Sequence, residues 1–154
     1  MTGEATDSRE DRFLLDVMLG KLATYLRMCG YDTAYALDRG IESDDAIRSL
    51  AAAEDRTLLT RDEALAASAD GAVLLTEREI EAQLRELRAA GVDLSLPDHP
   101  QRCSACNGEV VPVAAADSPE HVPDDAEPYR CRDCGQWFWS GSHWDDVAET
   151  LAAL

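Results

Sequence analysis

Residues 12–30, RFLLDVMLGKLATYLRMCG, decide the fold of this chain of 154 residues. The run opens with three consecutive apolar side chains and reaches a carboxylate at Asp16, which is the pattern of a short buried strand. Apolar residues then recur at helical spacing at Leu19, Leu22, Ala23 and Leu26. Gly30 ends that helix. A strand followed directly by a helix predicts the first half of a βαβ unit.

The same alternation continues along the chain. Further strands are predicted at 32–36, 57–60 and 72–76, and helices follow at about 43–51, 62–67 and 77–90, with Ser43 as an N-cap. Strands that alternate with helices predict a parallel sheet with right-handed crossovers. We therefore predict a small three-layer α/β domain at 12–96, after a polar tail at 1–11 and before a second module at 97–154. The prolines and glycine of 91–101 mark the linker.

Composition limits the function classes. With 45% hydrophobic residues the chain should fold, and no stretch approaches the roughly 18 apolar residues of a membrane span. The N-terminus is polar and acidic, unlike a secretory signal peptide. We expect a cytoplasmic protein without a membrane partner.

The net charge of −17 opposes simple electrostatic attraction to nucleic acid. Lys21 is the only lysine, against 31 acidic residues, which suggests a halophilic proteome in which salt screens charge over short distances. In that case local charge clusters are more informative than the total.

Four of the five cysteines form two C-x-x-C pairs separated by 24 residues, each pair followed by glycine. Four thiolates satisfy the tetrahedral preference of a structural Zn²⁺ ion. We predict a C-terminal zinc ribbon ligated by Cys103, Cys106, Cys131 and Cys134, with flanking strands at 109–113 and 136–139. A redox dithiol is the weaker alternative, and Cys29 is expected to be a small core residue.

Aromatic residues gather around the second cysteine pair, at Tyr129, Trp137, Phe138, Trp139 and Trp144. Such rings can stack on unpaired bases, but a small ribbon also needs them for its core. We favour the core interpretation, with one or two rings exposed. His143 is expected to serve local packing.

Acidic residues follow the predicted strands at the edge where parallel sheets bind ligands. Asp16 ends the first strand, Asp44 and Asp45 open the helix after the second, and Asp62 follows the third. Carboxylates brought together repel unless a hard cation such as Mg²⁺ or Mn²⁺ intervenes. The plainer interpretation is that these are turn and helix-start residues.

Residues 13–32, 44–47, 58–62 and the ending WSGSHW at 139–144 resemble the Mut7-C family, which joins a PIN-like nuclease domain to a C-terminal zinc ribbon. The resemblance covers the chain from residue 12 onward. It implies a PIN-like ribonuclease fold and an aspartate-bound Mg²⁺ or Mn²⁺, held by Asp16, Asp44 and Asp62. Further acid candidates are Asp45 and Glu77.

The resulting hypothesis is a metal-dependent endoribonuclease whose zinc ribbon assists RNA binding. Lys21, Arg27 and Arg61 are expected to contact RNA phosphates, although Arg27 fits an internal ion pair equally well. The alternative is a non-catalytic RNA- or ribosome-associated protein that retains the PIN-like frame. A phosphoacceptor receiver domain ranks low because it needs a lysine at a late strand end.

Overall fold

A four-stranded parallel sheet forms the centre of the molecule, in a computed structural model that describes residues 11–154. The predicted polar tail lies, apart from Asp11, outside the described residues. The strands are β1 (Arg12–Leu15), β2 (Asp32–Tyr35), β3 (Thr57–Thr60) and β4 (Val73–Leu74). They lie in the order β2-β1-β3-β4 and all pair in parallel, as predicted. The two inner strands have apolar centres, at residues 13–15 and 58–59, because helices cover both of their faces.

Helices form a layer on each side of this sheet. The first four are α1 (Gly20–Met28), α2 (Asp44–Ala53), α3 (Glu63–Ser68) and α4 (Ile80–Ala89). One buried cluster joins the sheet to α1 and α4, and a second joins it to α2 and α3. The predicted three-layer α/β architecture is therefore confirmed.

Two helices begin later than their apolar patterns suggested. The helix expected from Met18 begins at Gly20, because the Leu19 N–H donates to the Asp16 carbonyl and closes a turn first. The helix expected from Glu77 begins at Ile80, because Glu79 has an extended backbone (ψ 139°) and serves as the N-cap, while the Glu86 carboxylate accepts from the Glu77 N–H. Helix ends depend on such local competition for hydrogen bonds.

The cysteine module is a three-stranded antiparallel sheet. Its strands are β5 (Val110–Pro112), β6 (Tyr129–Cys131) and β7 (Trp137–Phe138), in that order. Its small core consists of Cys103, Val110, Tyr129 and Cys131, with Phe138 packed against them. The predicted ribbon hairpin is thus present, with strands shorter than the sequence suggested.

A fifth helix, α5 (Ser142–Ala152), was not predicted. Val147 and Leu151 are buried in the same cluster as α1 and α4, so the end of the chain completes the core of the first sheet. The helical spacing of Trp144, Val147 and Leu151 was the available signal. Among the described residues, none of the helices combines the length and apolarity needed to cross a bilayer.

The docking of α5 can be tested by truncating Leu151. Leu151→Ala removes a side chain that is 5% exposed and leaves a cavity, so we expect a loss of about 2–4 kcal/mol in the free energy of unfolding. Glu149→Ala, on the solvent side of α5, is the matched control and should change stability by less than about 0.5 kcal/mol. Urea titration measures both, and equal effects would contradict the packing of α5 in the core.

Arg56 joins the beginnings of three strands. Its side chain is 4% exposed and donates to the Phe13 carbonyl, to Asp32 and to Glu54 Oε1 at 2.6 Å. Arg39 also donates to both oxygens of Glu54. These two arginines lower the pKa of Glu54 to about 2.

Glu54 should therefore stabilise the fold in a pH-dependent way. The folded protein keeps this carboxylate ionised to lower pH than the unfolded chain does, so its contribution is complete above the ordinary pKa near 4.5 and disappears as pH falls toward 2. We expect Glu54→Gln to be less stable than the parent at pH 6, with the difference shrinking between pH 4.5 and 2. A difference that stays constant with pH, measured by thermal unfolding, would refute this.

Candidate active-site edge and metal centre

Asp16 is the buried acid at the carboxyl end of β1. Its side chain is 6% exposed, Oδ1 accepts from the Val17 N–H at 2.7 Å, and Oδ2 accepts from Thr60 Oγ1 at 2.7 Å. The hydrogen bonds offset the cost of removing a carboxylate from water. Each carboxylate oxygen has a second lone pair, so both remain able to bind a cation.

Thr60 connects Asp16 to Asp62. While its hydroxyl donates to Asp16, the same oxygen accepts from the Asp62 N–H at 3.0 Å. Asp62 is the N-cap of α3, where Oδ1 accepts from the Ala64 and Leu65 N–H groups. Within the described part of the chain Oδ2 accepts no hydrogen bond. Two adjacent strands thus present one aspartate each at the same edge of the sheet.

The other predicted acids are more exposed. Asp44 and Asp45 lie in the first turn of α2, beyond the Ser43 N-cap, and Asp45 pairs with Arg48 on its own helix. Glu77 lies before α4, and its carbonyl accepts from Gln83 Nε2 at 2.8 Å. Across residues 11–154, the four cysteines are the only group of three or more metal-ligating side chains whose ligand atoms all lie within 4.8 Å. The carboxylates therefore do not form a closed cage.

Three cationic side chains surround this edge. Arg61 lies half-buried with Nη1 3.8 Å from Met18 Sδ, and within residues 11–154 its buried Nε has no acceptor. Lys21 and Arg78 line a cavity of about 180 Å³ together with Met18. Arg78 was not singled out from the sequence, because it precedes a helix and belongs to no motif.

Arg27, expected as an RNA contact, lies at a junction inside the protein. Its side chain is 5% exposed, and it donates to the carbonyls of Thr33 and Ser104 and pairs with Asp38 at 3.6 Å. Burial lowers its pKa, which the Asp38 charge opposes. We assign Arg27 to the contact between the sheet and the cysteine module rather than to RNA.

The four cysteines converge as predicted. Their sulfur atoms all lie within 4.8 Å of one another, with Cys103 Sγ 3.7 Å from Cys134 Sγ and Cys106 Sγ 3.5 Å from Cys131 Sγ. Four sulfur donors at these separations suit one tetrahedral metal ion. Two of the cysteines are buried, so the site is closed on the side of the ribbon core.

Backbone N–H groups favour the thiolate form of Cys131. Burial disfavours the charged form of Cys131, but the N–H groups of Cys134 and Asp133 point at its sulfur and lower its pKa to about 7. Burial instead raises the pKa of Cys106 to about 12. A bound cation would favour the thiolate of every ligand.

The first cysteine knuckle contacts the edge strand β2 directly. Asn107 adopts φ 72°, a left-handed conformation that asparagine tolerates, and its Oδ1 accepts from the Thr33 N–H at 2.8 Å. Its Nδ2 donates to Asp32 at 2.7 Å. Burial raises the pKa of Asp32, but the bonds from Asn107 and Arg56 more than offset this and hold it below its ordinary value. Asn107 therefore satisfies the open edge of the sheet next to a metal ligand.

Comparison with known proteins gives one match. The family model of the Mut7-C RNAse domain matches residues 11–151. No curated protein and no solved structure matches this chain.

Asn107 follows Cys106 directly and accepts from the Thr33 N–H of strand β2. Removing a metal held by the cysteines should therefore weaken hydrogen bonding at this edge of the sheet as well as in the ribbon. Stripping protein prepared with Zn²⁺ is expected to speed hydrogen exchange of the Thr33 amide, because Asn107 loses its position once the knuckle unfolds. The Asp16 amide, which donates to Leu59 between the inner strands, should stay protected and is the internal control.

The variant Asn107→Gly separates loss of the metal from loss of the side-chain contact between Asn107 and Thr33. Glycine keeps the left-handed backbone and all four cysteines but lacks the side-chain acceptor. We expect fast Thr33 exchange in this variant even with metal bound. Unchanged Thr33 exchange in both the stripped protein and the variant would contradict the proposed edge contact.

Proposed function

The chain belongs to the Mut7-C RNAse domain family, and from this membership we propose that it is a metal-dependent endoribonuclease acting at the carboxyl edge of the four-stranded sheet. The hydrogen-bonded chain from Asp16 through Thr60 to Asp62 carries the proposal. It orients the Asp16 carboxylate and fixes the backbone of Asp62, whose own carboxylate is held by the helix cap. A packed sheet limits the movement of both strand ends.

The proposed ligands of a Mg²⁺ or Mn²⁺ ion are Asp16 and Asp62, with Asp44 as the third. Mg²⁺ keeps several waters and is commonly held by one or two carboxylates together with substrate phosphate, so an open set of acids fits it better than a closed cage would. Such an ion supplies an activated water and charge stabilisation at the phosphodiester. Asp45 and Glu77 remain candidates for outer positions.

The basic residues supply the RNA contacts in this proposal. Arg61 is half-buried with Nη1 3.8 Å from Met18 Sδ, and in this proposal its guanidinium pairs with a backbone phosphate. Lys21 and Arg78 lie beside Met18 at the same edge. In this proposal the three cationic side chains partly offset the carboxylates of this edge and the net charge of −17, both of which otherwise repel RNA.

For the cysteine module we propose a structural Zn²⁺ and a role in binding RNA. We propose a nuclease domain at 12–96 and a ribbon module at 97–154, whose last helix, α5, packs back into the core of the nuclease domain. Thiolate ligands require reducing conditions, so we propose a cytoplasmic location. The acidic composition supports the further hypothesis of a high-salt cell.

One observation favours a second function, a non-catalytic RNA- or ribosome-associated protein. In residues 11–154 no three carboxylates have ligand atoms within 4.8 Å of one another. A protein that only binds RNA would need no such group.

Paired substitutions test the nuclease. Asp16→Asn keeps the shape of the side chain, with the amide oxygen able to accept from the Val17 N–H and Nδ2 able to donate to Thr60 Oγ1. Asp62→Asn keeps a good helix cap, and circular dichroism checks that both variants are folded. We expect each to lower RNA cleavage in Mg²⁺ or Mn²⁺ by about 100-fold or more, as loss of a preorganised electrostatic group commonly does. Cleavage of labelled RNA at low and high salt is the measurement.

The matched control is Asp70→Asn. Asp70 is exposed in the loop that enters β4, at the opposite edge of the sheet. Its cleavage rate should equal that of the parent. Parent-like cleavage by Asp16→Asn and Asp62→Asn would overturn the assignment, and RNA binding by the parent without any cleavage would favour the non-catalytic function.

A further inference from the structure

A cavity of about 310 Å³ opens where the ribbon, the linker, the end of α1 and the start of α5 meet. Its walls include Met28, Arg102, Trp137, Trp139, His143 and Trp144. The volume lies at the lower end of the range for small-ligand pockets. All three tryptophans of the chain therefore face one small cavity.

These tryptophans do not form the ribbon core that the sequence suggested. The core is built from Tyr129, Val110 and two cysteines, with Phe138 beside them. Each tryptophan is instead half-buried. Large aromatic surfaces held partly open to solvent around a cavity are costly in water unless a ligand covers them.

Two of the rings are held in place by their surroundings. The guanidinium of Arg130 lies 5.2 Å from the ring centre of Trp137, in cation–π contact. Trp139 packs on Gly141, where an added Cβ would lie 2.7 Å from its Nε1. Any larger residue at 141 would push this ring aside. Preorganised rings lose little entropy when a planar group stacks on them.

The charge at the cavity differs from that of the whole chain. Arg102 forms part of the wall and is fixed by a bond from Nη1 to the Asn107 carbonyl at 3.2 Å. Arg130 lies behind Trp137. The nearest acids on α5, Asp145 and Asp146, are exposed and are not wall residues. Aromatic faces combined with arginine are the chemistry that recognises unpaired nucleotides.

We propose that this cavity holds an unpaired base of the RNA, so that the substrate is single-stranded or carries a loop. The inference rests on the proposed ribonuclease function for the choice of RNA as ligand. A base in a duplex could not enter, because both of its faces are already stacked on neighbouring base pairs.

The position of α1 sets the separation between this pocket and the acidic edge. The helix runs from Lys21 near the carboxyl edge to Met28 in the pocket wall. Lys21 and Met28 are seven residues apart, which is about 10 Å at 1.5 Å per residue. Stacked nucleotides rise about 3.4 Å each, so the bound base should lie at least about three nucleotides from the cleaved bond.

Binding without turnover tests the pocket. Full-length protein with bound zinc and the Asp16→Asn change is titrated into a short RNA that carries 2-aminopurine at one position, either single-stranded or paired in a blunt duplex. Trp139→Leu and Trp144→Leu each remove one ring from a different wall, and Trp139→Phe retains an aromatic face. Zinc content and circular dichroism report whether each variant is folded.

We expect the two leucine variants to bind single-stranded RNA about ten-fold more weakly or worse, because stacking on one ring is lost. Trp139→Phe should recover most of the affinity, and the parent should quench 2-aminopurine only in the single strand. Equal affinity in parent and leucine variants would overturn the proposal, as would equally tight binding of the duplex. If the Trp139→Leu protein has lost its zinc, the RNA affinity of Trp144→Leu alone is compared with that of the parent.

The same variants separate this inference from the nuclease assignment. Without the Asp16→Asn change, RNA cleavage that is unaffected by Trp139→Leu and Trp144→Leu would refute the base pocket and leave the nuclease intact. Tryptophan-dependent RNA binding by a parent that cuts nothing would refute the nuclease and leave the pocket intact. Tight capture of an aromatic peptide in place of RNA would also refute the base pocket.

Discussion

Hydrogen bonds between the first cysteine knuckle and the edge strand β2 join the cysteine module to the parallel sheet. Asn107 satisfies the open Thr33 N–H, and Arg27 reaches from α1 to the carbonyl of Ser104. A buried guanidinium is costly unless several acceptors surround it, and here the acceptors come from both modules. The knuckle is shaped by its cysteines, so a metal ion held by them would also organise the edge of the sheet.

This junction determines what lies at each end of α1. Its first turn carries Lys21 at the acidic edge, and its last residue, Met28, forms part of the wall of the aromatic cavity. Helix α5 then returns to the core of the sheet through Val147 and Leu151. The ribbon is thus attached on two sides, which keeps the aromatic rings at a fixed distance from the carboxylates. Two sites that act on one RNA strand need such a fixed separation.

The two candidate metal sites differ in ways that match their proposed roles. The cysteines bring four soft donors within 4.8 Å, which closes a tetrahedral shell and leaves no position for substrate. At the sheet edge, hard oxygen donors stay apart, with Asp16 fixed by Thr60 and Asp62 occupied by a helix cap. An open shell leaves room for water and phosphate. These differences match a structural role for the cysteine site and the catalytic role proposed for the edge of the sheet.

The strands, most of the helices, the parallel sheet and the convergence of the four cysteines could be predicted from the sequence. These follow from apolar periodicity and from C-x-x-C spacing, which act over a few residues and need no distant partner. The sequence also placed Asp16 and Asp62 at strand ends, because the topology of a parallel sheet dictates where those ends meet.

The surroundings of Arg27 and of the tryptophans could be seen only in the tertiary structure, because they depend on residues far apart in the chain. The sequence favoured an RNA contact and an internal partner equally for Arg27. The structure shows that it donates to the carbonyl of Ser104, which lies 77 residues further along the chain. The sequence predicted that the tryptophans form the ribbon core. In the structure Tyr129 and Val110 fill the interior of the ribbon without them. Burial is a property of the assembled fold. A local sequence pattern shows whether a side chain is apolar or charged, but it does not show which distant residues will pack against that side chain.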